Sequence, residues 1–447
     1  MNYKFLFCLF FSFLVSAEEI EVRLKTASLA KPLYLTHTYL RSDNINHGYL
    51  DELRTVLQFD LNSGAFVTVL PTNSAWEESL HMADVKRHFN VSLWRKEQVP
   101  FILCSTVIEK NLKVTAFDVE KGNSKVYEEI VLTGQIDEDR KQIHRLSDSI
   151  HRDFFGVEGV ATCRIIYSLR ESKGALGYRS EIYLSDFDGF NRHQLTFEND
   201  YCVTPCFSPY NKSGTTEPSF FYVSYKTGQS KIYRSTLKGS NSECLFEMGG
   251  NQLLPSLNLR ASQMAFISDV AGRPDLFVQN LDATGHIVGK PKQLFSAPRA
   301  TQASSAFSPD GKKIAFVSDK DGPPRIYVID LTKDPKSRPQ VITKKNRENT
   351  SPSWSPDGKK LSYSSKVDGV RQIWIYDVES QEETGLTFGV GNKENPAWAP
   401  DSLHLVYNTD QNEEGELFLI DVNKKTAVQI SKGVGQKRFA SWEPRKS

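Results

Sequence analysis

The chain has 447 residues, room for two or more domains that each bury a core of their own. Its 39% apolar and 24% charged content is an ordinary globular balance and excludes a disordered or fibrous bulk. With 55 Lys and Arg against 54 Asp and Glu there is no basic surplus, which excludes nucleic acid as a partner class.

The N-terminus reads as an export signal over residues 1–17. Lys4 is its one charge, Phe5–Val15 is an apolar stretch, and Val15-Ser16-Ala17 is a small-residue cleavage site. The stretch is too short for the roughly 20 residues that span a bilayer. A buried N-terminal strand is the bland alternative. Cys8 lies inside the apolar stretch, not just after the small residues, which disfavours a lipid-modified cysteine. Cleavage after Ala17 removes Lys4 and leaves an exported, soluble, charge-balanced chain.

Residues 18–32 form an arm in which Ile20, Val22 and Leu24 alternate with Glu19, Glu21, Arg23 and Lys25. Such a segment pairs as an edge strand or stays loose until a partner takes it. Residues 33–155 then read as a mixed α/β domain. Leu50, Leu53 and Leu57 mark one face of a helix ending near Asn62-Ser63-Gly64, and Phe66–Leu70 reads as a strand. Three more strands are expected at Ile102–Ile108, Val114–Val119 and Val126–Leu132. A second helix carries Ile143, Leu146, Ile150 and Phe154, with Gly156 placed to end it.

From residue 159 to the end the chain repeats. One strand type recurs at Arg164–Ser168, Phe220–Ser224, Met264–Ser268, Ile314–Ser318, Leu361–Ser365 and Leu405–Thr409. The next follows at Glu181–Asp186, Lys231–Thr236, Asp275–Asn280, Arg325–Asp330, Gln372–Asp377 and Glu416–Asp421. A third, short type ends near Thr196, Phe246, Phe295, Thr343, Thr387 and Ser431. A fourth is anchored by Phe207, Leu257, Phe307, Trp354, Trp398 and Trp442, at intervals of 44 to 50 residues, the spacing of propeller blades. The first unit lacks its opening strand and the last stretch supplies one too many, so the set closes only as a six-bladed β-propeller. Pairing of Arg438–Trp442 beside Cys163–Ser168 would remove the free edge. In the best units Ser308–Lys313 and Ser355–Lys360 read S-P-D-G-K-K, where Pro fixes φ and Asp-Gly supplies a hairpin turn. The aromatic residue before it is placed to pack between adjacent sheets; a sugar-stacking platform is the alternative reading.

Five cysteines remain after cleavage: Cys104, Cys163, Cys202, Cys206 and Cys244. A Cys202–Cys206 bridge and free thiols are both open. The chemistry of enzymes is not visible. No G-x-S-x-G elbow or H-E-x-x-H is present. Gly285–Pro291 is one residue short of a phosphate loop and reads as a long hairpin. His81/His88 and His144/His151 each lie two helical turns apart, too far to share a metal. Asp186-Phe187-Asp188-Gly189 lacks the distant Glu of a calcium loop and reads as a turn. Asp319 and Asp321 fall at a hairpin tip. No catalytic residue, cofactor or metal is expected; an exported propeller enzyme such as a polysaccharide lyase is the runner-up, and a surface adhesin a third reading.

Taken in order, four stretches resemble the TolB family of the Tol–Pal cell-envelope system. They are Glu21-Val22-Arg23, Leu61-Asn62-Ser63-Gly64-Ala65-Phe66, Gly159-Val160-Ala161-Thr162-Cys163-Arg164-Ile165, and Ser185-Asp186-Phe187-Asp188-Gly189-Phe190-Asn191. The resemblance runs the mature length. It implies a periplasmic binding protein, expected to be monomeric, in a system that supports outer-membrane integrity and envelope constriction at division. It also implies that the N-terminal arm, here Glu18, Glu19, Ile20, Glu21, Val22, Arg23 and Leu24, engages TolA. One propeller mouth would bind the lipoprotein Pal through loops between blades: Asn199, Asp200, Arg299, Thr301, Gln302, Asn349, Thr350, Ser351, Glu394, Asn395, Lys437 and Arg438. Departures from the family pattern are Ser208-Pro209-Tyr210-Asn211 and Asn258-Leu259-Arg260-Ala261 in place of S-P-D-G, Thr350-Ser351 in place of Thr-Glu, and Thr301 where the family can have His.

Overall fold

The computed structural model describes residues 30–445 other than 41–44, 82–88, 175–176, 210–216, 240–241, 335–337 and 412–413. The export signal 1–17, arm residues Glu18–Leu24, His88 and the Tyr210-Asn211 turn lie outside the described residues, and the side chain of His81 is likewise not described.

The N-terminal domain is one sheet under two long helices. Its elements are β1 (Lys31–Leu35), β2 (Tyr39–Leu40), α1 (His47–Ser63), β3 (Val67–Val69), α2 (Ser74–His81) and α3 (Val91–Lys96). They are followed by β4 (Phe101–Ile108), β5 (Asn111–Asp118), β6 (Asn123–Val131) and α4 (Ile136–Ile150), which runs on as a π turn to Phe155. β3, β1 and β4 pair in parallel, and β4, β5 and β6 form an antiparallel meander. Asn46 caps α1 by accepting from Gly48 N at 2.8 Å, and Gly156, at φ 70°, ends the second long helix. The periodic leucines of α1 and Ile143, Leu146 and Ile150 of α4 are buried against the sheet in one core.

The rest of the chain closes into a ring of six four-stranded antiparallel sheets. The innermost strands are Cys202–Phe207, Gln252–Leu257, Gln302–Phe307, Asn349–Trp354, Asn392–Trp398 and Gln436–Trp442. The last of these belongs to the first sheet: Lys437 pairs with Leu169, Arg438 with Ser168 and Trp442 with Ile165, so the terminal strand closes the circle as the repeat required. Each innermost strand carries a register shift. At each shift one residue takes a left-handed conformation: Thr204, Leu254, Ser304, Ser351, Asn395 and Phe439, none of them glycine. Apolar clusters fill the wedges between neighbouring sheets, and Trp398 and Trp442 donate across them to Ser353 O and Ala397 O, both at 3.1 Å. The tryptophans therefore pack between blades. Residues Ile287–Phe295 form the long hairpin expected after Gly285, and Asp186–Gly189 forms a turn.

The α/β domain sits on the face bearing the turns between first and second and between third and fourth strands. Ala65 N donates to Asp421 Oδ2 at 3.0 Å, Lys424 Nζ to Asn62 O at 2.6 Å, and Phe59 of α1 packs edge-on to Phe187. Arg140 of α4 forms an ion pair with Asp188 of the first blade, both nearly fully buried. The opposite face, made by inter-blade loops and second-to-third-strand hairpins, is left open among the described residues.

Candidate functional site

On the open face the loops that leave the first, fifth and sixth blades are pinned by polar corners, in each of which a polar residue near the start of the third strand meets a Thr or Ser that follows the outer strand. Thr196 Oγ1 donates to Glu181 Oε2 at 2.5 Å and accepts from Ile182 N at 2.9 Å. Thr387 Oγ1 does the same with Gln372 Oε1 and Ile373 N, both at 2.9 Å. At the closure Ser431 Oγ donates to Glu416 Oε2, and Lys437 Nζ reaches Glu416 Oε1 at 2.8 Å. These corners hold the loops in place before any partner arrives, so binding costs little ordering entropy.

The sequence-predicted mouth residues occupy two environments. Asn199, Arg299 and Thr301 are exposed, and Asp200, Thr350, Ser351, Glu394, Asn395 and Arg438 are half-buried. Gln302, Asn349 and Lys437 are at most 1% exposed. Gln302 Oε1 accepts from Ser318 Oγ at 2.6 Å and Asn349 Nδ2 donates to Asn346 O at 2.8 Å, so these side chains serve the blades themselves. Six residues form a polar seam across the fifth and sixth blades. Arg371 lies 3.4 Å from Thr350 Oγ1 and 3.1 Å from Glu394, Ser351 Oγ donates to Asn395 Oδ1 at 2.9 Å, and Asn395 Nδ2 donates to Asn408. Arg438 joins the neighbouring Asp410 at 2.5 Å. Burial pushes the Glu394 carboxyl upward, with Arg371 and Arg438 pulling the other way. Asn199 and Asp200, and Arg299 and Thr301, stand at other points of the circle.

Sequence reasoning missed the apolar rim of this face. Tyr178, Phe197, Val270, Phe388, Val390 and Val434 are all exposed, Val390 at 88% and Val434 at 82%, and every one lies on an inter-blade loop or a second-to-third-strand hairpin. The signal was present in Phe388-Gly389-Val390-Gly391 and Gly433-Val434-Gly435. There the glycines take positive φ and large apolar residues fall outside any strand alternation.

Behind the mouth, the central channel holds a cavity of about 580 Å³ lined by Ser, Thr, Asn, Pro, Leu and aromatic residues of the innermost strands and the turns that follow them, together with Cys206 and Arg445. Among the described residues no histidine or carboxylate lines it. Cys104, Cys163, Cys202, Cys206 and Cys244 are free thiols, which resolves the cysteine alternatives in favour of no bridge. Among the described residues no helix is long and apolar enough to cross a membrane.

Three comparisons bear on this architecture. The family model described as "TolB beta propeller domain" matches residues 152–446. A "Protein TolB homolog" of Protochlamydia amoebophila is 40% identical over 401 residues, covering 87% of this chain and 85% of that one. Another from Chlamydia pneumoniae is 34% identical over 305 residues, 67% of this chain and 63% of its own. The crystal structure of TolB from Acinetobacter baumannii superposes with a TM-score of 0.75 at 21% identity, covering 93% of this chain and 97% of that one, a likeness of fold that includes the α/β domain. Repeat period, ring closure, domain order and sequence identity converge, and the chain belongs to the TolB family.

Proposed function

We propose that this chain is the periplasmic binding component of a Tol–Pal system, docking the lipoprotein Pal at the open mouth and offering residues 18–24 of its arm to TolA. In this reading it is exported with cleavage after about Ala17, works as a monomer without cofactor, and supports outer-membrane integrity and constriction at division. The observation that carries it is the apolar rim. Large side chains held in solvent on rigid loops, around a polar seam, make a surface built for another folded protein. Family membership supports Pal as that protein. The Pal contacts are then Asn199, Asp200, Arg299, Thr301, Thr350, Ser351, Glu394, Asn395 and Arg438, with the rim apolar residues added; Gln302, Asn349 and Lys437 hold the loops from behind. An enzyme would need acid–base groups in the channel; its described lining has no histidine or carboxylate, and burial pushes its Cys206 thiol up to about 12, which supports the binding reading.

The test is capture of purified Pal and of TolA from the same organism on the immobilised mature protein. Pal is expected to bind, and Phe388→Ser with Val434→Ser to weaken it at least tenfold, while removal of residues 18–24 abolishes TolA capture alone. Failure of the intact protein to retain Pal overturns the reading. If docking at the ring controls access to the arm, TolA affinity changes when Pal is present.

A further inference from the structure

The junction between the two domains encloses a charged cluster that the binding function does not use. His144 of α4 places Nδ1 2.8 Å from Asp60 Oδ2 of α1, and Nε2 3.7 Å from Asp188 Oδ2 of the first blade. Asp60 and His144 are 1% and 2% exposed. Phe187 closes one side edge-on, its ring centre 5.5 Å from the imidazole. Nε2 of His144 and Oδ1 of Asp60 have no hydrogen-bond partner among the described residues. Two buried carboxylates face one guanidinium, Arg140, which pairs with Asp188; Asp148 is the remaining carboxylate acting on Asp60. With Asp60 ionised, a neutral imidazole would leave a net negative charge at this buried junction, which is costly. One more proton balances the set.

We propose that His144, as imidazolium, is the charged pin that fastens the α/β domain to the ring, bonded to Asp60 within its own domain and attracted by Asp188 across the junction, and that alkaline pH loosens this junction. Burial alone would lower the affinity of His144 for its proton; the hydrogen bond and charge of Asp60 and the charge of Asp188 outweigh burial and the opposing Arg140, so the net direction is upward. Burial pushes Asp60 up to about 7, so the pair as a unit holds a proton into the neutral range. Because the folded state binds this proton more tightly than the unfolded one, its contribution is complete below about pH 6.5. That contribution disappears as pH rises through the folded-state value. Asp60, His144 and Asp188 are close enough to hold a cation, with ligand atoms within 4.8 Å of one another, but Arg140 already supplies a positive charge there.

The experiment uses the mature full-length protein with ¹⁵N-labelled histidine, the His144 signals assigned by their loss in His144→Gln. Both ring nitrogens are expected in the imidazolium range at pH 7, turning neutral at least half a pH unit above the ordinary histidine midpoint. Hydrogen exchange of the amides of residues 59–65 and 186–190, corrected for intrinsic rate, is expected to rise several-fold from pH 6 to pH 9. In His144→Gln and in Asp188→Asn it should be raised already at pH 6, with most of the rise lost. His404, held 2.6 Å from Asp401 and 3.9 Å from Asp421 near the same junction, contributes with the same sign. His404→Gln should therefore leave the His144 titration in place. A neutral His144 at pH 7, junction exchange that ignores pH, or one divalent ion per chain by elemental analysis each overturns the proposal.

Discussion

Thr204 sits at φ 48° in an innermost strand, a left-handed conformation that a β-branched residue rarely adopts, and its buried hydroxyl has no hydrogen-bond partner among the described residues. Both features cost stability, so Thr204→Gly is expected to stabilise the ring by about 1 kcal/mol, seen as a raised denaturation midpoint, the reverse of the usual effect of glycine in a strand. A lowered midpoint would show that the side chain packs more than it strains. Gly189 is the opposite case. A Cβ there would stand 1.5 Å from the carbonyl oxygen of Ile430, whereas one at Gly122 would meet nothing within 4 Å, though both glycines have positive φ. Gly189→Ala is accordingly expected to lower the melting temperature by clearly more than Gly122→Ala, as calorimetry of the two variants would show. Lys437 is fully buried on Glu416. Removing its ammonium in Lys437→Met strands that carboxylate, and a loss of about 3 kcal/mol in denaturant titration is expected. Of these residues the sequence marks only Gly189, through its Asp-Phe-Asp-Gly turn. The six left-handed positions fall on Thr, Leu, Ser, Asn and Phe, and the shift that creates them comes from curvature of the closed ring, which no local propensity encodes.

Strands were the readable level. Four strand-like segments per repeat, bounded by Pro, Asp and Gly, predict the blades because the second strand of each is buried almost throughout between neighbouring sheets and reads as an apolar run, while outer strands such as Ala427–Gln429 stay exposed. The helices α1 and α4 were readable for the same reason, one apolar stripe against one sheet. The inter-blade loops were not. Their chain positions are legible, but whether Gln302 or Thr301 faces solvent depends on corner hydrogen bonds to residues many positions away, such as Ser318 and Asp319. The same non-locality hid the cluster at the domain junction, since spacing along one helix says nothing of Asp60 or Asp188. The strand Gln436–Trp442 completes the first blade through backbone pairs and through Arg164, which binds Glu443 at 2.6 and 2.7 Å. A chain ending at Gly435 is expected to lose the cooperative melting of the ring and to aggregate through the exposed edge; an unchanged melting temperature by differential scanning calorimetry would count against the closure.

As a whole the molecule presents two unlike faces. One carries the α/β domain, joined by apolar contacts, hydrogen bonds and buried ion pairs; the other carries loops, an apolar rim and a polar seam. Variants on the rim are expected to change partner affinity without shifting the melting temperature, and variants at the junction to do the reverse. The joining of first and last segments has a temporal side. A polypeptide made from its N-terminus forward exposes three strands of the first blade long before the fourth exists, and through that interval the sheet edge beside Arg164–Ser172 has no neighbour to bond with. Any stalled or clipped product stays in that unfinished condition, which makes the final dozen residues a checkpoint for completeness as well as a seam.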